Sequence, residues 1–115
     1  MNIVYSYFVL DIVHRGHLLM LKNSKAIAGP DGRLIVGIVS DEAVLVKKGK
    51  APTLDFSERL ELANSIQYVD AVVGQQNYTP YENVTNIAPN ILMESESHDE
   101  AQINEGRRLM KELGG

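Results

Sequence analysis

His14 and His17 stand three residues apart, with Gly16 between them, in the stretch LDIVHRGHLLMLK at residues 10–22. Imidazoles at the mouth of a helix can donate hydrogen bonds to phosphoryl oxygens. They can also stabilise the charge that builds as a phosphoryl group is transferred. The peptide N–H groups of a first helical turn lack intrahelical partners and carry partial positive charge, so they attract phosphate as well. A separation of three sets both rings on one side of that turn. Gly16 leaves room for a ligand to press against the backbone. Two plainer readings compete: a pair of solvated polar side chains, or metal ligation. A metal pair usually wants i,i+4 spacing and a third ligand, and His98 is the single remaining histidine.

The elements that must position these residues can be read from periodicity. Residues 2–10, NIVYSYFVL, are β-branched and aromatic, as a buried strand should be. Residues 16–28 are helix formers that stop at GPDG. RLIVGIV, 33–39, is a second buried strand, followed by a short apolar segment and a lysine-bearing loop, VKKGKAPTLD. From Phe56 to Ile66 apolar residues recur at helical spacing, behind an Asp55 N-cap with Glu58 three residues on. DAVVG (70–74) and NILM (90–93) read as short strands around a helix near 81–87, and a last helix follows an Asp99 cap. Continuous apolar strands alternating with helices predict an α/β, Rossmann-like open parallel sheet flanked by helices on both faces. In such sheets ligands bind beyond the carboxyl ends of the strands, where His14 and His17 fall.

Composition bounds the partners. At 115 residues the chain is one domain, 1–115, long enough to close a single core. A net charge of −4 supplies no overall basic field for nucleic acid. The N-terminal apolar run is interrupted by Ser6 and Asp11, so it reads as neither signal peptide nor membrane span. The absence of cysteine fits a reducing cytosol, and a cytoplasmic location is the expectation.

The run of segments LDIVHRGH, GRLIVGIVSDE, KGKAPTLDFSER and QYVDAVV resembles the cytidylyltransferase-like branch of the nucleotidyltransferase superfamily over about residues 2–98. Family members carry a G-T-F-D-like turn after the first strand, H-x-G-H, a strand leading to S-D-E, a lysine loop, an E-R helix start and a Y-V-D segment. The resemblance implies transfer of a nucleotidyl group, CMP from CTP, to a phosphate- or phosphonate-bearing small molecule with release of pyrophosphate. It also implies Mg²⁺ bound with the nucleotide and no resident protein metal site. The alternatives are an adenylyltransferase of the same branch, acting on a sugar phosphate or FMN, and a degenerate module that binds nucleotide without turnover.

Carried over by position, His14 and His17 are the catalytic histidines and Gly16 the glycine between them. Lys48 is catalytic and Lys50 nucleotide-binding, both falling where family members place loop lysines over the triphosphate or the acceptor phosphate, with Lys47, Lys48 and Lys50 forming a mobile cationic lid. Asp11 is the acid of the turn and a nucleotide-binding residue, or a turn residue bonding its own backbone. Arg59 is the helix-start arginine, directed to the nucleotide or paired with Asp55 or Glu58. Phe8 and Val9 occupy the nucleotide-binding positions of the family's Gly-Thr, a looser turn like that of phosphonate-pathway domains. Glu94 and Glu96 bring negative charge toward a nucleotide at the exit of the last strand. The family's closing strand and its serine/threonine turn have no counterpart, so the sheet reads as unfinished. An incomplete copy of a longer gene product is the expectation, and a homodimer covering the open edge is the alternative.

Overall fold

The computed structural model describes residues 2–11, 15–94 and 107–111. The expectations for His14, Glu96, His98 and the Asp99 cap lie outside the described residues. Four strands form one parallel sheet: β1 (Ile3–Phe8), β2 (Arg33–Val39), β3 (Ala71–Gln75) and β4 (Ile91–Met93), in the order β3-β2-β1-β4. The helices are α1 (Arg15–Ala28), α2 (Asp41–Lys48), α3 (Phe56–Asn64) and α4 (Tyr81–Ile87). Residues 107–111 are also helical. The chain winds outward from β1 through β2 to β3, then returns to the other side of β1 as β4. The order therefore reverses between β1 and β4.

Alternation along β1 sorts its side chains into two cores. Val4 and Phe8 pack with Leu21 and Ala28 of α1, Ala63 of α3, and Leu34, Val36 and Ile38 of β2. Tyr5 and Tyr7 pack with Val39, Val44 of α2, Val84 of α4, and Leu109 and Met110. All five residues from Val4 to Phe8 are buried. This is the signature of a parallel strand covered on both faces, and each large apolar side chain so buried contributes about 1.5–3 kcal/mol. No helix among the described residues is long and apolar enough to cross a membrane.

Element ends follow local chemistry. Ser40 caps α2, its Oγ accepting from the Ala43 amide at 3.1 Å and donating to the Gln76 carbonyl at 2.8 Å. Gly49, at φ 78°, closes that helix with its N–H on the Leu45 carbonyl. Lys47 and Lys48 therefore sit in the last turn of α2, where cations favour the helix dipole. The expected loop begins only at Gly49. Asp55 and Glu58 form the expected capping box on α3, at 2.8 and 3.4 Å. The Y-V-D aspartate, Asp70, ties α1 to β2: it accepts from Lys25 Nζ at 2.6 Å and the Leu34 amide at 2.8 Å. Partial burial works against its charge, but Lys25 and the Leu34 amide hold its carboxyl below the usual range.

Gly37 of β2 faces the Tyr5 hydroxyl, and a Cβ built there would stand 1.9 Å from that oxygen. Tyr5 has no room to retreat. Its hydroxyl donates to Gln75 Oε1 at 2.5 Å and accepts from Asn83 Nδ2 at 3.0 Å. Burial pushes the phenol up to about 12, partly offset by the Asn83 bond, so it stays a donor at neutral pH. Gly37→Ala is expected to destabilise the fold by about 3 kcal/mol, read as a lower urea midpoint at unchanged slope. A loss under about 1 kcal/mol would show that Tyr5 can shift at little cost.

Candidate functional site

The exit of β1 and the start of α1 meet at the reversal of strand order, the usual ligand crevice of an open parallel sheet. α1 has no acidic residue in its first turn, so its positive end is not offset there. Gly16 is exposed. His17, half-buried, packs edge-on against Phe8 with ring centroids 5.7 Å apart and planes at 87°. Phe8 itself is buried in the core, so the residue at the family's glycine position works as a wall that orients an imidazole.

After Phe8 the backbone turns sharply. Leu10 adopts φ 58°, a left-handed conformation that costs a residue with a Cβ about 1–2 kcal/mol. Three contacts hold it. The Leu10 side chain is 2 % exposed within the core. The Val9 carbonyl accepts from Arg59 Nη1 at 2.7 Å. Asp11 accepts from two remote amides, Leu54 at 2.7 Å and Thr53 at 2.8 Å. Those amides draw the Asp11 carboxyl below its ordinary range, so it is ionised. Asp11 thus forms a bridge to amides 42 and 43 residues further along the chain.

Arg59 is fully buried. Its guanidinium donates to the Val9 carbonyl, to the Leu54 carbonyl at 3.1 Å and to Asp41 Oδ1 at 2.6 Å. The pairing expected with Asp55 or Glu58 does not form, because those two acids are spent on the capping box of α3. Asp41 was missed as a partner, although it is the central acid of S-D-E. Its second oxygen accepts from the Phe56 amide at 3.1 Å, joining the starts of α2 and α3.

Lys48 and Lys50 are exposed, one at the end of α2 and one just past its Gly49 cap. Glu94 follows β4, beside the β1 exit, and its Oε2 accepts from the Tyr7 hydroxyl at 2.9 Å. Burial, then the neighbouring Glu94 charge, push the Tyr7 phenol far above its ordinary value, so it remains a donor. A recess of about 620 Å³ opens at the carboxyl ends of β2 and β3, between α2 and the loop after β3. Glu42, Lys47, Gln76, Asn77 and Tyr78 line it, with Lys47 Nζ 5.6 Å from the centre of the Tyr78 ring. Periodicity could not have found this recess, since it joins α2 to the loop after β3, which the pairing of β2 with β3 brings together. Among the described residues no three His, Asp or Glu side chains gather into a metal cage.

The chain is similar to known proteins. The chain is 37% identical over 83 residues to an FAD synthase of Korarchaeum cryptofilum (strain OPF8), covering 71% of this chain and 55% of that protein. It is 33% identical over 114 residues to the bifunctional protein HldE of Coxiella burnetii, covering 98% of this chain and 23% of that protein. It thus spans about half the length of the one relative and a quarter of the other. A lipopolysaccharide core biosynthesis protein from Thermoplasma volcanium GSS1 superposes with a TM-score of 0.77 at 28% identity, over 99% of this chain and 89% of that one. The family model described as Cytidylyltransferase-like matches residues 9–113. The chain belongs to this cytidylyltransferase-like family of the nucleotidyltransferase superfamily.

Proposed function

We propose that the chain transfers a nucleotidyl group from a nucleoside triphosphate to a phosphate-bearing small molecule, releasing pyrophosphate. The observation that carries this is His17, held edge-on by Phe8 in the first turn of α1 at the reversal of strand order. In this reading an acceptor oxygen attacks the α-phosphorus in line, and the bond to the β-phosphate breaks. His14 and His17 donate to the phosphoryl oxygens as negative charge builds on them. Lys48 and Lys50 offset charge on the outer phosphates. Mg²⁺ enters as part of the substrate, the metal–nucleotide complex, which is its usual mode when few carboxylates converge. The recess beside β2 and β3 suits the acceptor, with Lys47 for its phosphate and the Tyr78 ring for a planar or apolar body.

ATP is the favoured donor, because FAD joins an AMP unit to a phosphorylated flavin and an FAD synthase is among the relatives. CTP is the second reading, supported by the family description. The test is pyrophosphate release from each of the four nucleoside triphosphates, offered with FMN, sugar phosphates, glycerol phosphate and a phosphonate. Release with ATP and one acceptor class is expected. A folded chain that binds nucleotide yet releases no pyrophosphate with any pair would make it a binding module and overturn the enzymatic reading.

A further inference from the structure

Lys50 lies on a very short span of chain between two anchors. On one side the Gly49 N–H is fixed to the Leu45 carbonyl at 2.8 Å. On the other, Thr53 and Leu54 give their amides to Asp11, and the Leu54 carbonyl accepts from Arg59. Residues 50–52 alone lie between. At about 3.3–3.6 Å per residue, Lys50 cannot wander more than about 11 Å from Thr53. The far anchor is built on the β1 exit itself, since Arg59 also holds the Val9 carbonyl and Asp11 follows directly. Asp41 completes the unit through Arg59 and the Phe56 amide.

Resting on the triphosphate reading above, we propose that Asp11 is a positioning residue. Its carboxylate, with Arg59 and Asp41 behind it, pins the 50–54 segment to the β1 exit and so keeps Lys50 over the outer phosphates. Asp11 itself touches neither nucleotide nor metal. Two N–H groups on a carboxylate spread its negative charge into the backbone, which reduces its repulsion of a nearby polyphosphate. A free aspartate at the same place would oppose the ligand. The tether thus holds a cation close and quiets an anion with one pair of bonds.

The test separates a tether from a ligand. Thr53→Pro deletes one of the two amide donors and leaves the carboxylate in place, whereas Asp11→Asn changes the acceptor. Binding of inorganic tripolyphosphate, ATP and CTP is followed by titration calorimetry on the full chain. Amide hydrogen exchange at Leu54 reports the tether without reference to activity. Lys50→Ala is expected to weaken tripolyphosphate binding about 5-fold, and Asp11→Asn and Thr53→Pro about 3- to 5-fold each, with faster exchange at Leu54. The Asp11→Asn/Lys50→Ala double variant should be no more than about 2-fold weaker than Lys50→Ala alone, because both changes remove one contact. Full multiplication of the two effects overturns the proposal, as does Thr53→Pro binding like the parent while Asp11→Asn does not. If neither tether variant folds, the carboxylate belongs to the stability of the fold and the loop-specific role is wrong. A parent chain that binds none of the three probes defeats the triphosphate reading itself, and this proposal with it. Multiplicative effects on a parent that does bind defeat the positioning role alone.

Discussion

Replacing His17 with alanine is expected to lower kcat for pyrophosphate release by roughly 10²–10³-fold while KM for the triphosphate changes little. A donor that strengthens only as charge builds in the transition state acts on kcat and kcat/KM together. The structural cost should be small by comparison. The edge-to-face contact with Phe8 is worth about 0.5–1.5 kcal/mol, and the ring is half-buried rather than enclosed. His17→Gln keeps a donor of similar reach and should recover part of the rate, since glutamine retains an N–H that can meet a phosphoryl oxygen. Turnover at the parent rate in His17→Ala would remove this imidazole from the mechanism. A chain that melts many degrees lower would instead assign the ring to packing.

The second large effect is on stability. Arg59→Met is expected to cost about 3–5 kcal/mol, measured by urea unfolding. The guanidinium is fully buried and satisfies the Val9 and Leu54 carbonyls together with Asp41. Methionine fills much of the volume but leaves those acceptors without their donor, each loss adding to the penalty. Asp41 is 44% exposed, so water can reach the stranded carboxylate, and this keeps the cost from climbing further. Arg59→Lys should rescue little. One ammonium on a flexible stem cannot span three acceptors that the planar fork meets at once. A loss below about 1 kcal/mol in Arg59→Met would show that Leu10 burial and the Asp11 bridge hold the turn without it, and the role given to Arg59 would fall.

What the sequence determined by itself was mostly short in range. The second strand, 33–39, and the helix at 81–87 are found at the expected residues. Strand periodicity and helix periodicity are properties of neighbouring residues. The Asp55–Glu58 capping box was equally legible, because cap and partner lie three residues apart. The ordered set of motifs around H-x-G-H led to the family, which the match over residues 9–113 bears out. Periodicity makes the first strand too long at both ends, 2–10 against the observed Ile3–Phe8. No local pattern reveals that the Val9 carbonyl leaves the ladder for an arginine 50 residues away. Consecutive lysines look solvated, so sequence alone puts Lys47 and Lys48 in a loop; the Ser40 and Gly49 caps instead carry the helix through both.

Tertiary structure decided which partners Asp11, Arg59, Asp41 and Glu94 take. Asp11, Arg59 and Asp41 carry plausible ligand chemistry when read one at a time. Strand order places the exit of β1 beside the entrances of α2 and α3, and there Arg59 pairs with Asp41 while all three side chains take up backbone groups of the surrounding turns. Tyr7 and Glu94 tell the same story from opposite ends of the chain: a tyrosine that looks like plain core, and a glutamate that looks like a ligand, meet because β4 pairs with β1. The physical reason is that a buried or half-buried polar group must find a partner wherever the fold supplies one. Which partner that is depends on sheet topology, and sequence separation gives no hint of it.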